Sequence, residues 1–199
     1  MIHRTALATL FAALSFAAST ASARLITFDD LADNGSGTAI SNGYSGLDWD
    51  NFNVLNTASL VPSGFVNGTV STSNLAYNDQ ANPATITSPT GFNLVDAQFT
   101  GAWNNGLQIE VLAFSDTDTF TKNFTVDSTG PTNVVFNWNN ITYVTFSSLG
   151  GANGGYGSSD DQFVIDNLNV ASAVPEPDVW GLMMTGIPLA FRQIRSRLK

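Results

Sequence analysis

The segment Leu107-Gln108-Ile109-Glu110-Val111 sets Leu, Ile and Val on one side of an extended chain and Gln and Glu on the other. A period of two is the signature of a strand with one buried and one wet face, because successive side chains of a strand point to opposite sides. The pattern returns at Phe120, Lys122, Phe124 and Val126, where one cation interrupts an apolar parity. Further strand candidates are 25–28, 47–55, 94–100, 133–138, 141–147 and 162–170. Asn-Gly pairs at Asn34, Asn42, Asn67, Asn105 and Asn153 supply turns, since both residue types tolerate positive φ. No stretch between 24 and 173 combines a helical period with caps. Many short strands divided by turns predict an all-β fold, an antiparallel β-sandwich of jelly-roll-like build. The Gly-rich segment 150–161 (GGANGGYGSSDD) reads as a long surface loop.

The two ends have a different character. Residues 1–23 carry His3 and Arg4, then an apolar run from Ala6 to Ala18, then Ala21-Ser22-Ala23. That order is a secretory signal peptide, with cleavage by signal peptidase expected before Arg24. At the other end, Val179 to Phe191 is apolar and is followed by Arg192, Arg195, Arg197 and Lys199. Thirteen residues of helix span about 20 Å, against the ~30 Å of a bilayer core. Flanking residues and a snorkelling Arg192 bring the run near spanning length, and the basic end should stay cytoplasmic. Residues 24–173 are left as the exported domain.

Within that domain only Arg24 and Lys122 are basic, against fourteen Asp and Glu, a net charge near −12. Nucleic acid is excluded as a partner, because phosphate binding needs Lys and Arg to displace counterions. The chain has no cysteine, and its one histidine, His3, falls in the signal peptide. Thiol nucleophiles, Cys-based metal sites and histidine general bases are thereby absent from residues 24–173. Only paired carboxylates remain for catalysis, as in a glycoside hydrolase. Glu110 is the sole Glu of the domain and alternates outward, without a partner identifiable from sequence. The expectation is a protein that is not an enzyme.

The order Val174-Pro175-Glu176-Pro177, apolar run and terminal Arg cluster resembles the PEP-CTERM sorting signal of exported proteins from exopolysaccharide-producing bacteria. The resemblance covers about 26 residues. It implies recognition and cutting by an exosortase, with Val174, Pro175, Glu176, Pro177, Arg192, Arg195 and Arg197 as the sorting residues. It also implies a cell envelope location, held by the C-terminal helix, before release to the cell surface or matrix.

LITFDDL near the start and QFVIDNLNV near the end resemble the first and last strands of carbohydrate-binding-module jelly rolls. In many members of that broad group an acid after the first strand and an Asp in the last strand hold a structural calcium, which the resemblance maps here to Asp29 or Asp30 at one end and Asp166 at the other. The residues add one argument: Asp166 shares a strand parity with Val164, Leu168 and Val170, and an inward carboxylate needs a neutralising partner. The other open reading is that Asp166 caps a turn or faces water. Aromatic residues among amides suit sugar rings, whose C–H faces stack on rings while amides bind the hydroxyls. Trp103 with Asn104 forms one such group, and Tyr156 in the Gly-rich loop another, with core packing the alternative for the tryptophans. The role expected is a non-catalytic envelope or matrix component that binds exopolysaccharide. A structural or adhesive matrix protein without a ligand pocket is the rival reading.

Overall fold

The computed structural model describes residues 23–33 and 35–173. The expected signal peptide (1–23), apart from Ala23, and the expected sorting tail (174–199) lie outside the described residues. Among the described residues twelve strands form: β1 (Ala23–Ile26), β2 (Thr38–Ala39), β3 (Asp48–Asp50), β4 (Phe52–Asn56), β5 (Asn74–Asn78), β6 (Ala84–Gly101), β7 (Asn104–Asn105), β8 (Leu107–Phe114), β9 (Thr119–Val126), β10 (Thr132–Leu149), β11 (Ala152–Asn153) and β12 (Phe163–Ser172). One five-residue helix, α1 (Gly64–Gly68), departs from the purely β expectation. Every strand pairing is antiparallel.

Two strands of eighteen residues, β6 and β10, organise the rest. Their outer halves, Ala84–Thr87 and Tyr143–Leu149, build one layer with β3, β8 and β9. Their other halves, from Phe92 on β6 and up to Ile141 on β10, build a second layer that continues through β12, β5, β4 and β2. β1 pairs with β12 beyond the end of β5. The layers face each other across an aromatic core. Phe146 from the first lies 5.8 Å from Phe52, 6.0 Å from Phe99 and 6.2 Å from Phe163, all three from the second. Such offset and edge-on ring contacts add to the burial of large apolar area.

The pair must bend where it passes between layers, and the sequence provides for it. Pro89 lacks an N–H, Gly91 takes φ 73°, and Asn137 and Asn140 take φ 54° and 55°. The register of β10 on β6 shifts between Val135 and Trp138, again before Ile141, and again before Tyr143. Asn93 Oδ1 accepts the backbone N–H of Asn140 at 2.9 Å, which steadies the bend.

A second device ties the first strand to the last. The five successive residues from Val70 to Asn74 all donate their backbone N–H groups to two carboxylates. Asp166 Oδ2 accepts Val70 at 2.7 Å and Ser71 at 2.8 Å. Asp29 Oδ2 accepts Thr72 at 3.2 Å, and its Oδ1 accepts Ser73 and Asn74 at 3.0 Å each. In return, Asn74 Nδ2 donates to the carbonyls of Phe28 (3.1 Å) and Leu31 (2.8 Å), and Ser71 Oγ donates to that of Thr27. Phe28 is fully buried with φ 62°, a conformation costly for a bulky residue unless its surroundings over-determine it. The clasp does so.

The two acids respond oppositely to this setting. Burial acts to raise the pKa of Asp29, but the amides of Asn74, Ser73 and Thr72 and the Ser71 hydroxyl outweigh it and hold the carboxyl at about 2. For Asp166, which is wholly buried, burial wins over the amides of Ser71, Val70 and Asn167 and pushes the pKa up. A depressed folded pKa stabilises the fold above the unfolded value near 3.8, and that stability is lost as pH falls through the folded value. Asp166 has the reverse sign: its ionisation costs stability as pH rises.

Two outcomes follow from the bend and the clasp. Gly91→Ala forces a side chain into positive φ and sets its Cβ 2.5 Å from Asn140 Oδ1; chemical denaturation should show a loss of about 1–3 kcal/mol. Asp29→Asn removes a charged acceptor and should cost about 2 kcal/mol at pH 7. That deficit should shrink between pH 4 and pH 2, measured as urea midpoints across the range.

Candidate functional site

The residues singled out from sequence fall into two regions. Asp29 and Asp166 do meet, through the loop of residues 70–74. Asp30 does not join them: it is exposed, and its Oδ1 accepts the Tyr44 hydroxyl at 2.7 Å. Burial together with Asp30 pushes the Tyr44 hydroxyl up. A calcium ion needs six to eight oxygen ligands. Here the acids instead receive backbone N–H groups, three on each carboxylate counting Asn167 on Asp166 Oδ1. Among the described residues no group of three acids or imidazoles gathers to hold a metal. The donor set around Asp29 and Asp166 therefore does not fit a shared calcium. The partner that an inward Asp166 demanded is a row of backbone amides.

Trp103, Asn104 and Tyr156 lie together at the end of the sandwich where β12 begins. β11 pairs with β7, which folds the Gly-rich loop back over residues 103–105. Asn104 is buried, and its Nδ2 donates toward Gly150 O, Ser159 O and Asp161 Oδ1 at 3.0–3.2 Å. Asp161 Oδ2 in turn accepts the Gly150 N–H at 2.9 Å. Asn104 is thus a pin for the loop. The Tyr156 hydroxyl accepts Asn67 Nδ2 at 3.0 Å, which fastens the loop tip to α1. Trp103 packs edge-on against Phe65 at 5.4 Å and donates its indole N–H to Gln162 Oε1 at 2.9 Å. With Phe65, Tyr77, Leu60 and Val61 it walls a cavity of about 260 Å³. The polar atoms of all three predicted ligand residues are engaged within the protein, apart from Asn104 Oδ1, which is buried without a partner.

A larger concavity opens elsewhere, on the outer face of β8, β9 and β10. It measures about 560 Å³, and its outward-pointing lining is Gln108, Glu110, Asn123, Thr125, Ser147 and Leu149. Cross-strand register explains the grouping. Leu149, Gln108 and Thr125 form one row; Ser147, Glu110 and Asn123 form the next. The same face continues through Thr145, Leu112 and Thr121 to Tyr143, Phe114 and Thr119. Tyr143 and Phe114 are each 38% exposed, with ring centroids 5.9 Å apart. The face thus joins hydrogen-bonding side chains at one end to two exposed rings at the other. From Gln108 to Phe114 it runs about 20 Å along β8.

Sequence reasoning missed this face, because its residues come from three strands and meet only through register. One signal was available: Phe114 is aromatic at a position where Gln108 and Glu110 mark the wet parity of β8.

Comparison with known proteins adds a likeness among solved structures. No protein family matches the chain, and no curated protein matches it. Among solved structures it is similar to TmCBM61 in complex with β-1,4-galactotriose, at 11% identity and a TM-score of 0.37, over 65% of this chain and 93% of that one.

Proposed function

We propose that this chain is an exported, non-catalytic protein whose β-domain holds polysaccharide on the outer face of β8, β9 and β10. The observation that carries the reading is the exposed Phe114–Tyr143 pair at the end of the polar concavity. Exposed rings side by side offer π-faces to the apolar C–H faces of sugars. Gln108, Glu110, Asn123, Thr125 and Ser147 supply donors and acceptors for hydroxyls farther along the same face. An acidic surface with few cations favours neutral chains over anionic ones.

The two ends complete the proposal. The signal peptide exports the domain, the tail holds it at the membrane, and an exosortase cuts at the Pro175-Glu176-Pro177 region to release it to the surface or matrix. Among the described residues no helix is long and apolar enough to cross a membrane.

Affinity electrophoresis of the full chain against soluble polysaccharides tests the binding. Retardation by at least one neutral polysaccharide is expected, and Phe114→Ala with Tyr143→Ala should weaken it about tenfold or more, some 1.4 kcal/mol. Trp103→Ala and Tyr156→Ala should leave it unchanged. Full binding by the Phe114/Tyr143 variant would move the site elsewhere. Wild-type protein that binds nothing would favour a purely structural matrix role, and release of reducing ends would favour a hydrolase. In the same preparation, calcium and chelator should give equal melting temperatures, since a ligand bound only by the native state would raise them.

A further inference from the structure

On one side the sandwich is open, and its two layers end there differently. The second layer ends on the half of β10 up to Ile141, which among the described residues pairs only with β6. That edge is broken by left-handed Asn137 and Asn140 and by repeated register shifts. Such bulges twist an edge away from further pairing.

The first layer ends on β9, which among the described residues pairs only with β8. β9 is eight residues long, and its register on β8 runs unbroken from Leu107–Val126 to Phe114–Thr119. It holds no proline, no glycine and one charge, Lys122, and is rich in Thr and Phe. Edges of this kind are templates for strand addition unless guarded, and the guard present here is a single one, Lys122 on the inward parity. Inward-pointing Phe120 and Phe124 are only half-buried, with Phe120 stacked on Trp138 at 5.4 Å, so an added strand would cover apolar area.

We infer that β9 is an assembly edge and that its partner is β9 of a second copy of this chain. Charge selects that occupant. The domain carries fourteen acids, yet β9 carries none and holds one of the two cations; two acidic molecules meet here without opposing acids. Parity selects the register, because outward residues must face outward residues. Two antiparallel registers centre on the strand. One sets Lys122 against itself, which like-charge repulsion disfavours. The other sets Asn123 against itself, Thr121 against the partner's Thr125, and Lys122 against the partner's Phe124. The second is the register assigned. The two outer faces then join as one continuous surface, an arrangement that holds whether or not that face binds polysaccharide.

The absence of cysteine makes the register directly testable. Directly opposed residues of an antiparallel pair bring Cα atoms within the span of a disulfide. In the full chain, purified in mild detergent, Asn123→Cys alone should oxidise to a covalent dimer. Thr121→Cys alone should not, but mixed with Thr125→Cys it should form the heterodimer. Asn123→Asp should raise the dissociation constant in sedimentation equilibrium at least tenfold, since the assigned register sets the new carboxylate against its own copy. Three results would each overturn the inference: a wild-type monomer throughout the concentration range, an Asn123→Cys protein that stays monomeric under oxidant, or equal crosslinking of Thr121→Cys alone.

Discussion

The passage of β6 and β10 from one layer to the other is the constraint on which the rest of this molecule depends. Because both layers share the same two strands, the face of each layer is fixed relative to the other by covalent chain and by one bend. The bend needs residues that tolerate positive φ or forgo an N–H, and Pro89, Gly91, Asn137 and Asn140 are those residues. The same left-handed asparagines that turn β10 also spoil its outer edge for pairing. One local feature thus closes the core and protects half of the sandwich's open side. β9 carries no such feature, and that asymmetry makes its edge the place where a second chain can add.

The clasp of residues 70–74 solves a different problem. β1 is only four residues long and pairs with the far half of β12 alone. Its ladder is too short to hold the chain start unaided. Asp29 and Asp166 approach the same loop from the first and last strands and take up five consecutive amides, so the ends of the fold are joined through a segment remote from both. Charged acceptors for backbone N–H groups are stronger than neutral ones, and burial makes their loss costlier. The mixed pKa behaviour follows: the half-buried acid is held ionised by its amides, and the fully buried one resists ionisation despite them.

How much of this could be read in advance depended on burial pattern. β8 and β9 were legible because one face of each is wet, which writes a period of two into Leu107–Val111 and Phe120–Val126. β5 was not, since all five of its residues are buried and no alternation survives. Residues 84–93 were not among the strand candidates, which began at 94, yet β6 starts at Ala84 and runs straight through Pro89 and Gly91. At Asp166 strand parity with Val164, Leu168 and Val170 raised the need of an inward carboxylate for a partner, beside the open reading of a turn cap or a solvent-facing acid. Parity could not reveal backbone donors nearly a hundred positions away, so a cation stood in for them. Trp103 with Asn104 and Tyr156 in the Gly-rich loop read as two separate groups, and it is the β7–β11 pairing that joins them; composition cannot separate an amide that awaits a ligand from one that pins a loop.

The chain ends bear on how such a surface would be presented. Ala23 pairs with Ala171, so the first and last described strands leave the sandwich side by side. The loops around Trp103 and Tyr156 sit beyond the opposite end of β12, about 30 Å away along a ten-residue strand. The outer face of β8, β9 and β10 and the free edge of β9 belong to the other layer from β12, and neither is built from the strands that carry the ends. The proposed tether beyond Ala173 would therefore attach to one layer while the other keeps both its open face and its open edge. Pairing through β9 would join two such faces without involving the strands at which the chains are held, so attachment and assembly place no competing demand on the same backbone hydrogen bonds.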